Sequence, residues 1–174
     1  MKRDKSFIVK HDFLFNSRIF VQIMKNMRNI VDAIIEIVNA PQYRLKEYAE
    51  SHNRANQMGA ALEEYVKDLF AGTVNETDLN KRNQKISEFF CYLGNQNNPP
   101  DSMLKNGGVA IEVKKIESPN SALALNSSYP KAKLYSDSEM INRACRFCEP
   151  WEVRDMLYVV GVLNGEVLPI LYIF

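Results

Sequence analysis

The pattern of apolar and polar positions divides the chain into helices first and strands second. Between residues 17 and 38, Phe20, Met24, Met27, Val31, Ile34 and Val38 recur at alternating steps of four and three. That period predicts a helix with one apolar seam. Such a seam suits either packing on the domain or a coiled-coil dimer, and packing on the domain is the expectation. Pro41 ends the helix, and a short amphipathic piece runs to about residue 52. The stretch NRANQMGAALEEYVKDLFAG predicts a second helix, capped by Asn53 and stopped by Gly72. Its buried stripe is Leu62, Val66, Leu69 and Phe70, with Glu63 at the margin and Glu64 on the far side.

Downstream the period changes. Residues 73–85, TVNETDLNKRNQK, read as a polar loop, and ISEFFCYLG as a strand rich in aromatics. NQNNPP is a breaker, after which DSMLK, NGG and VAIEVKKI make a hairpin signal. The polar stretch ESPNSALALNSSYPKAKLYSDS leads to a helix near residues 138–149. DMLYVVGVL and EVLPILYIF then read as strands on either side of a turn at Asn164 and Gly165. This order predicts an α/β fold, a mixed β-sheet flanked by helices with an extra N-terminal helix. Residues 1–40 are expected to form an N-terminal helical segment and residues 41–174 the main domain. The chain stops inside the apolar run LYIF, so the C-terminus is expected to be truncated relative to a complete domain.

Composition narrows the classes. Apolar residues make up 46% and charged residues 25%, a globular balance. The 22 basic side chains are matched by 21 acidic ones, so a polyanion must be held by a local patch rather than by overall charge. No signal-peptide core or long apolar span is present, which points to a cytoplasmic protein with no membrane partner. Three cysteines fit a reducing compartment. CRFC, at Cys145 to Cys148, has a zinc-like spacing but no matching second pair, and Cys91, His11 and His52 are poor candidates to complete it. The expectation is structural cysteines on a helix.

The hairpin carries the candidate chemistry. In VAIEVKKI, Val109, Ile111 and Val113 lie on one face, and Glu112 and Lys114 share the other. A two-residue turn at Asn106 and Gly107 sets Asp101 opposite Glu112; one at Gly107 and Gly108 sets it opposite Lys114. Either keeps Asp101 on the face of Glu112 and Lys114, whereas a three-residue loop would flip it. Directly opposed carboxylates have β-carbons about 5 Å apart and repel. A divalent cation resolves that repulsion. Two carboxylates and the backbone carbonyl of Val113, with waters completing an octahedron, suit Mg²⁺. A lysine beside the metal helps an attacking water and the charge that grows on a phosphate. These are the parts of a metal-assisted phosphodiester hydrolase, weighed against a salt-bridged surface hairpin.

Pro100-Asp101 followed by Glu112-Val113-Lys114 resembles the PD-(D/E)XK nuclease signature. Three longer strings, NRANQMGAALEEYVKDLFAG, FFCYLGNQNNPPDSMLKNGGVAIEVKKIES and SALALNSSYPKAKLYSDSEMINRACR, resemble the NgoPII-like type II restriction endonucleases, over roughly residues 28 to 174. The resemblance implies a restriction-endonuclease-like fold and Mg²⁺-dependent cleavage of double-stranded DNA at a short palindrome, GGCC. It also implies a homodimer, and a cognate DNA methyltransferase as genetic partner. By position, Asp101 and Glu112 carry over as metal ligands, Lys114 as the water-orienting residue, and Glu63 as the helix glutamate near the metal. Residues 1–27 look like an addition, and relatives are expected to continue past residue 174. That leaves cleavage by this chain open. Alternatives are a non-catalytic or truncated DNA-binding relic, or a repair or junction nuclease of the same superfamily.

A local patch for DNA exists. Lys105 to Lys133 holds five lysines and two glutamates, a net of +3. Within it Asn126, Ser127, Ser128, Lys131 and Lys133 are candidate DNA contacts, by hydroxyl and ammonium to phosphate or by asparagine to base edges. Arg143 and Arg146 sit on the next helix, and Trp151 and Tyr158 are expected in the core.

Overall fold

The computed structural model describes residues 28–51, 57–95, 97–121 and 131–174. Phe20, Met24, Met27, Asn53, Asn126, Ser127 and Ser128 lie outside the described residues.

Helix α1 spans Ile30–Asn39. Asn29 caps it, accepting from Val31 N–H while Asp32 takes the Asn29 N–H in return. That reciprocal box satisfies donors the helix cannot. The face that meets the domain is Ile30, Ala33 and Ile37. The seam continued from Phe20 points elsewhere: Val31, Ile34 and Val38 are 58%, 46% and 73% exposed. Packing of that seam on the domain is therefore corrected. The helix is apolar around most of its girth, and the small Ala33 allows the closer approach.

Helix α2, Leu45–Ser51, buries Leu45, Tyr48 and Ala49. Helix α3, Met58–Ala71, is the central one. It buries the expected Leu62, Val66, Leu69 and Phe70, and also Ala61, Tyr65 and Asp68. Gly72 ends it at φ 67°, a left-handed conformation that glycine adopts without a Cβ clash. Helix α4, Leu79–Phe89, occupies the stretch read as a polar loop and the start of the stretch read as a strand. Asp78 caps it through Asn80 and Lys81 N–H. Its fully buried residues are only Arg82 and Ile86, one turn apart, so a polar-looking segment still presents one inward stripe.

Among the described residues six strands follow: β1 Phe90–Asn95, β2 Asn98–Leu104, β3 Ala110–Ile116, β4 Lys133–Tyr135, β5 Val153–Asn164 and β6 Val167–Ile173. β2 begins inside the expected breaker, since prolines are tolerated at a strand's first residues. β4 lies in the stretch read as a polar loop. The helix expected near 138–149 is a single turn, α5, Arg143–Arg146. Among the described residues the sheet runs β1-β2-β3-β5-β4, with β6 also on β5. β3 and β5 are parallel and the other pairs antiparallel, so the sheet is mixed as expected.

Apolar clusters cover both faces of this sheet. The larger joins α1, α2 and α3 to Ile111, Val113 and Val159. On the opposite face, Tyr92, Met103, Ala110, Leu134, Ile141 and Cys145 form one cluster, and Ile116, Val160 and Val162 form another. Gly161 lets β5 approach α3: a Cβ there would lie 2.6 Å from the Leu62 Cδ2.

One buried charge network locks the helices. The Asp68 carboxylate accepts from the Tyr48 hydroxyl at 2.5 Å, from the Thr73 hydroxyl, and from Arg82 Nε at 2.7 Å. Arg82 also reaches Glu64 at 2.5 Å, and Lys67 bonds Glu64 at 2.8 Å. Glu64, read as facing away, thus ties α3 to α4. Removing one partner of a buried pair strands the other's charge. Arg82→Leu should therefore lose about 3–5 kcal/mol in urea unfolding. A loss below about 1 kcal/mol would place the pair in the class of surface bridges.

Candidate active site

The β2–β3 connection decides what the sheet gathers. Asn106 and Gly107 both take positive φ, 58° and 83°, and Gly108 N–H donates to the Lys105 carbonyl at 3.1 Å. That is the two-residue turn whose backbone matches strand twist. The register follows: Ser102 pairs Ile111 and Met103 pairs Ala110. Continued by one residue, it sets Asp101 across from Glu112, the first of the two arrangements predicted.

There the ladder stops. Val113 N–H donates 2.6 Å to the Asp101 Oδ2, so a side chain takes the place of a strand carbonyl. β1 approaches closely on the other side. A Cβ on Gly94 would lie 2.6 Å from the Asp101 carbonyl oxygen and 2.8 Å from its Cα. Backbone atoms cannot yield as a side-chain tip does, so Gly94 is a requirement of the Asp101 position. Sequence reading missed it, and no local signal beyond an isolated glycine in a strand marks it.

Along β3 the site face reads Ala110, Glu112, Lys114, Ile116. Ala110 belongs to one apolar cluster and Ile116 to another, leaving Glu112 and Lys114 in the gap. Lys114 Nζ lies 2.7 Å from Glu112 Oε1. Glu112 Oε2 is buried with no hydrogen-bond partner. Burial, then the Glu112 charge, push the Asp101 carboxyl up to about 7 against the opposing Val113 N–H, with Glu63 adding to the rise. Burial also raises the Glu63 carboxyl, with Glu64 and Glu112 adding to the rise and Lys67 and Lys114 opposing it. The structure thus brings Asp101, Glu112 and Lys114 together and sets Glu63 on α3 within electrostatic reach.

Among the described residues, no three His, Cys, Asp or Glu side chains converge into a ready ion cage. Asp101 and Glu112 are a pair, and Glu63 acts on them through space. The donor set nevertheless fits a hard divalent cation. An orphaned carboxylate oxygen and a neighbouring carboxyl held well above its usual range are what a cation between them would relieve.

The candidate DNA contacts divide. Lys131 N–H donates 3.1 Å to the Tyr158 hydroxyl, and Tyr158 lies opposite Glu112 in the β3–β5 register. Lys131 therefore enters beside the site. Lys133 pairs with Asp155 at 2.6 Å across β4–β5, which offsets part of its charge. Trp151 packs on the cluster containing Cys145, and its Nε1 donates to the Cys145 carbonyl. Sequence reading also missed the clamp on the turn. Asn106 and Gly107 N–H donate to the Glu149 carboxylate, which Arg154 holds while its other nitrogen bonds the Gly108 carbonyl.

Comparison with known proteins bears on this geometry. A family model described as NgoPII restriction endonuclease matches residues 28–174. The type II restriction enzyme NgoPII of Neisseria gonorrhoeae is 56% identical over 140 residues, covering 79% of this chain and 49% of that protein. The chain spans about half the length of the curated relative it matches. No solved structure matches it.

The Asp101 shift sets a pH dependence in metal-free buffer. Its carboxyl rises from the usual 3.8 to about 7 on folding. Between those values the folded state binds more protons, so stability falls as pH rises across that window. Asp101→Asn cannot ionise. It should be more stable than the parent chain at pH 8, with the advantage shrinking below 7 and gone by about 4. Urea titrations at pH 8 and pH 5 check this, and an Asn variant less stable at pH 8 contradicts it.

Proposed function

This chain belongs to the NgoPII restriction endonuclease family, and on that premise we propose that it is a sequence-specific, Mg²⁺-dependent double-stranded DNA endonuclease cutting at GGCC. The observation that carries the reading is the Asp101–Glu112 pair. Two carboxylates are forced together on one sheet face, one oxygen of Glu112 is left without a partner, and Lys114 stands beside them. A surface salt-bridged hairpin has no reason to bury such an arrangement.

In this reading Asp101, Glu112 and the Val113 backbone carbonyl hold the Mg²⁺, with Glu63 at the margin from α3. When bound, the ion supplies Lewis-acid stabilisation of the phosphate and makes water a better nucleophile. The chain's own residues set the geometry. Val113 N–H fixes the Asp101 carboxylate. Lys114 Nζ, anchored on Glu112, orients the attacking water and stabilises the negative charge growing on the phosphate. Lys131 approaches the duplex beside the site and Lys133 contributes at its edge, with Asn126, Ser127 and Ser128 as further proposed DNA contacts.

A homodimer suits a self-complementary target, since one centre then serves each strand. The protein works in the cytoplasm, where a methyltransferase protects host sites. Among the described residues no helix is long and apolar enough to cross a membrane.

Three measurements test the reading. Asp101→Ala and Glu112→Ala should each lower Mg²⁺-dependent nicking of a GGCC duplex by roughly 10²–10³-fold or more. Binding to the same duplex in Ca²⁺ should persist by gel shift. Mg²⁺ should also raise the melting temperature of the parent chain but not of Asp101→Ala. Retained cleavage in both variants sinks the assignment.

Lys114→Met keeps the stem's packing and removes the charge. Calorimetric Mg²⁺ affinity should survive while turnover falls by about 10²-fold or more. If affinity collapses as well, the lysine's role is structural.

A further inference from the structure

The cysteine outside the CRFC motif is not where that spacing alone would place a partner. Cys91 lies on β1, more than fifty residues upstream, yet its sulfur is 2.9 Å from the Cys148 sulfur. Both side chains are partly exposed at the margin of one apolar cluster, whereas Cys145 is fully buried within it. All three thiols are free. Trp151 and Met156 pack against the same cluster.

We propose that Cys91 and Cys148 are a modification site: a disulfide-forming pair that a low-molecular-weight disulfide oxidises in two exchange steps. Cys148 is the first to react. The Cys91 sulfur is engaged with the Met103 and Leu104 carbonyls at 3.5 and 3.7 Å, and burial with the adjacent Cys148 pushes its thiol up. The Cys148 sulfur loses its proton to solvent and attacks one sulfur of the reagent. A mixed disulfide forms and one small thiolate leaves. Cys91 then loses its proton and attacks the Cys148 sulfur, expelling the second thiolate. Two protein thiols are oxidised, and one small disulfide is reduced to two thiols. The thiol–thiol separation is already within about 1 Å of a covalent bond length near 2.05 Å.

The bond would reach the hairpin. Cys148 precedes Glu149, whose carboxylate takes the Asn106 and Gly107 N–H groups and is held by Arg154. Oxidation would tie this clamp to β1, the strand that also carries Gly94 against Asp101. The bridge spans residues 91 to 148, and with them the β1–β2–β3 hairpins.

The test treats the full chain with oxidised glutathione, then counts thiols under denaturing conditions and maps peptides by mass. Titratable thiols should fall from three to one, with loss of two hydrogens and a Cys91–Cys148 linked peptide. The melting temperature should rise by roughly 5–15 °C, reversibly on reduction. Cys91→Ser should stop at a glutathione adduct on Cys148, and Cys148→Ser should form no intramolecular bond. The proposal is overturned if the parent chain itself stops at a glutathione adduct, keeps all three thiols, or links either partner to Cys145.

Discussion

The geometry of two peptide units governs the rest. Asn106 and Gly107 both sit at positive φ, so the β2–β3 loop has two residues and no other count. Loop length sets register, and register sets which side chains meet. One residue more would send Asp101 to the face of Ile111 and Val113, among the core residues of α3. The fold reinforces this choice from outside the hairpin, through Glu149 and Arg154 on the turn. Gly94 does the same at the far end of β2, where only a bare α-carbon fits.

Having fixed the register, the fold must tolerate its electrostatics. Burial and the Glu112 charge disfavour the ionised forms of Asp101 and Glu63. Lys114 compensates one oxygen of Glu112 and leaves the other unsatisfied. Such a site cannot stabilise the domain. Stability comes from elsewhere: the closely packed α3, and the Asp68–Arg82 network that joins α2, α3 and α4 on the opposite side of the sheet. The Arg82 pair is fully bonded where the hairpin pair is not. That contrast separates a satisfied structural charge cluster from the pair on which the proposed chemistry rests.

The hairpin was legible in the sequence because its determinants are local. Asn-Gly between alternating apolar runs names both the turn and the faces, and the same residues carry the family resemblance. The α3 stripe was legible for a similar reason, as its apolar spacing is regular. α4 was not, because Arg82 and Ile86 are its only fully buried residues and one of them is charged. Its role depends on Asp68, fourteen positions away. The seam of α1 misled in the opposite direction. Its period is genuine, but α1 carries a second apolar face, and Ile30, Ala33 and Ile37 took the domain. Glu149, Arg154 and Cys91 act through tertiary contacts that no spacing announces.

Gly94 has a consequence for genetics. A glycine codon cannot mutate to another amino acid without adding a β-carbon, and here that atom would meet the Asp101 backbone. Gly59, by contrast, has nothing within 4 Å of that position. If Asp101 and Glu112 serve as proposed, a screen for loss-of-cleavage alleles would therefore score codon 94 with codons 101 and 112, and not codon 59. The genetic footprint of the proposed centre would then include a residue that brings no functional group to it, and a map drawn from phenotype alone would count one position too many.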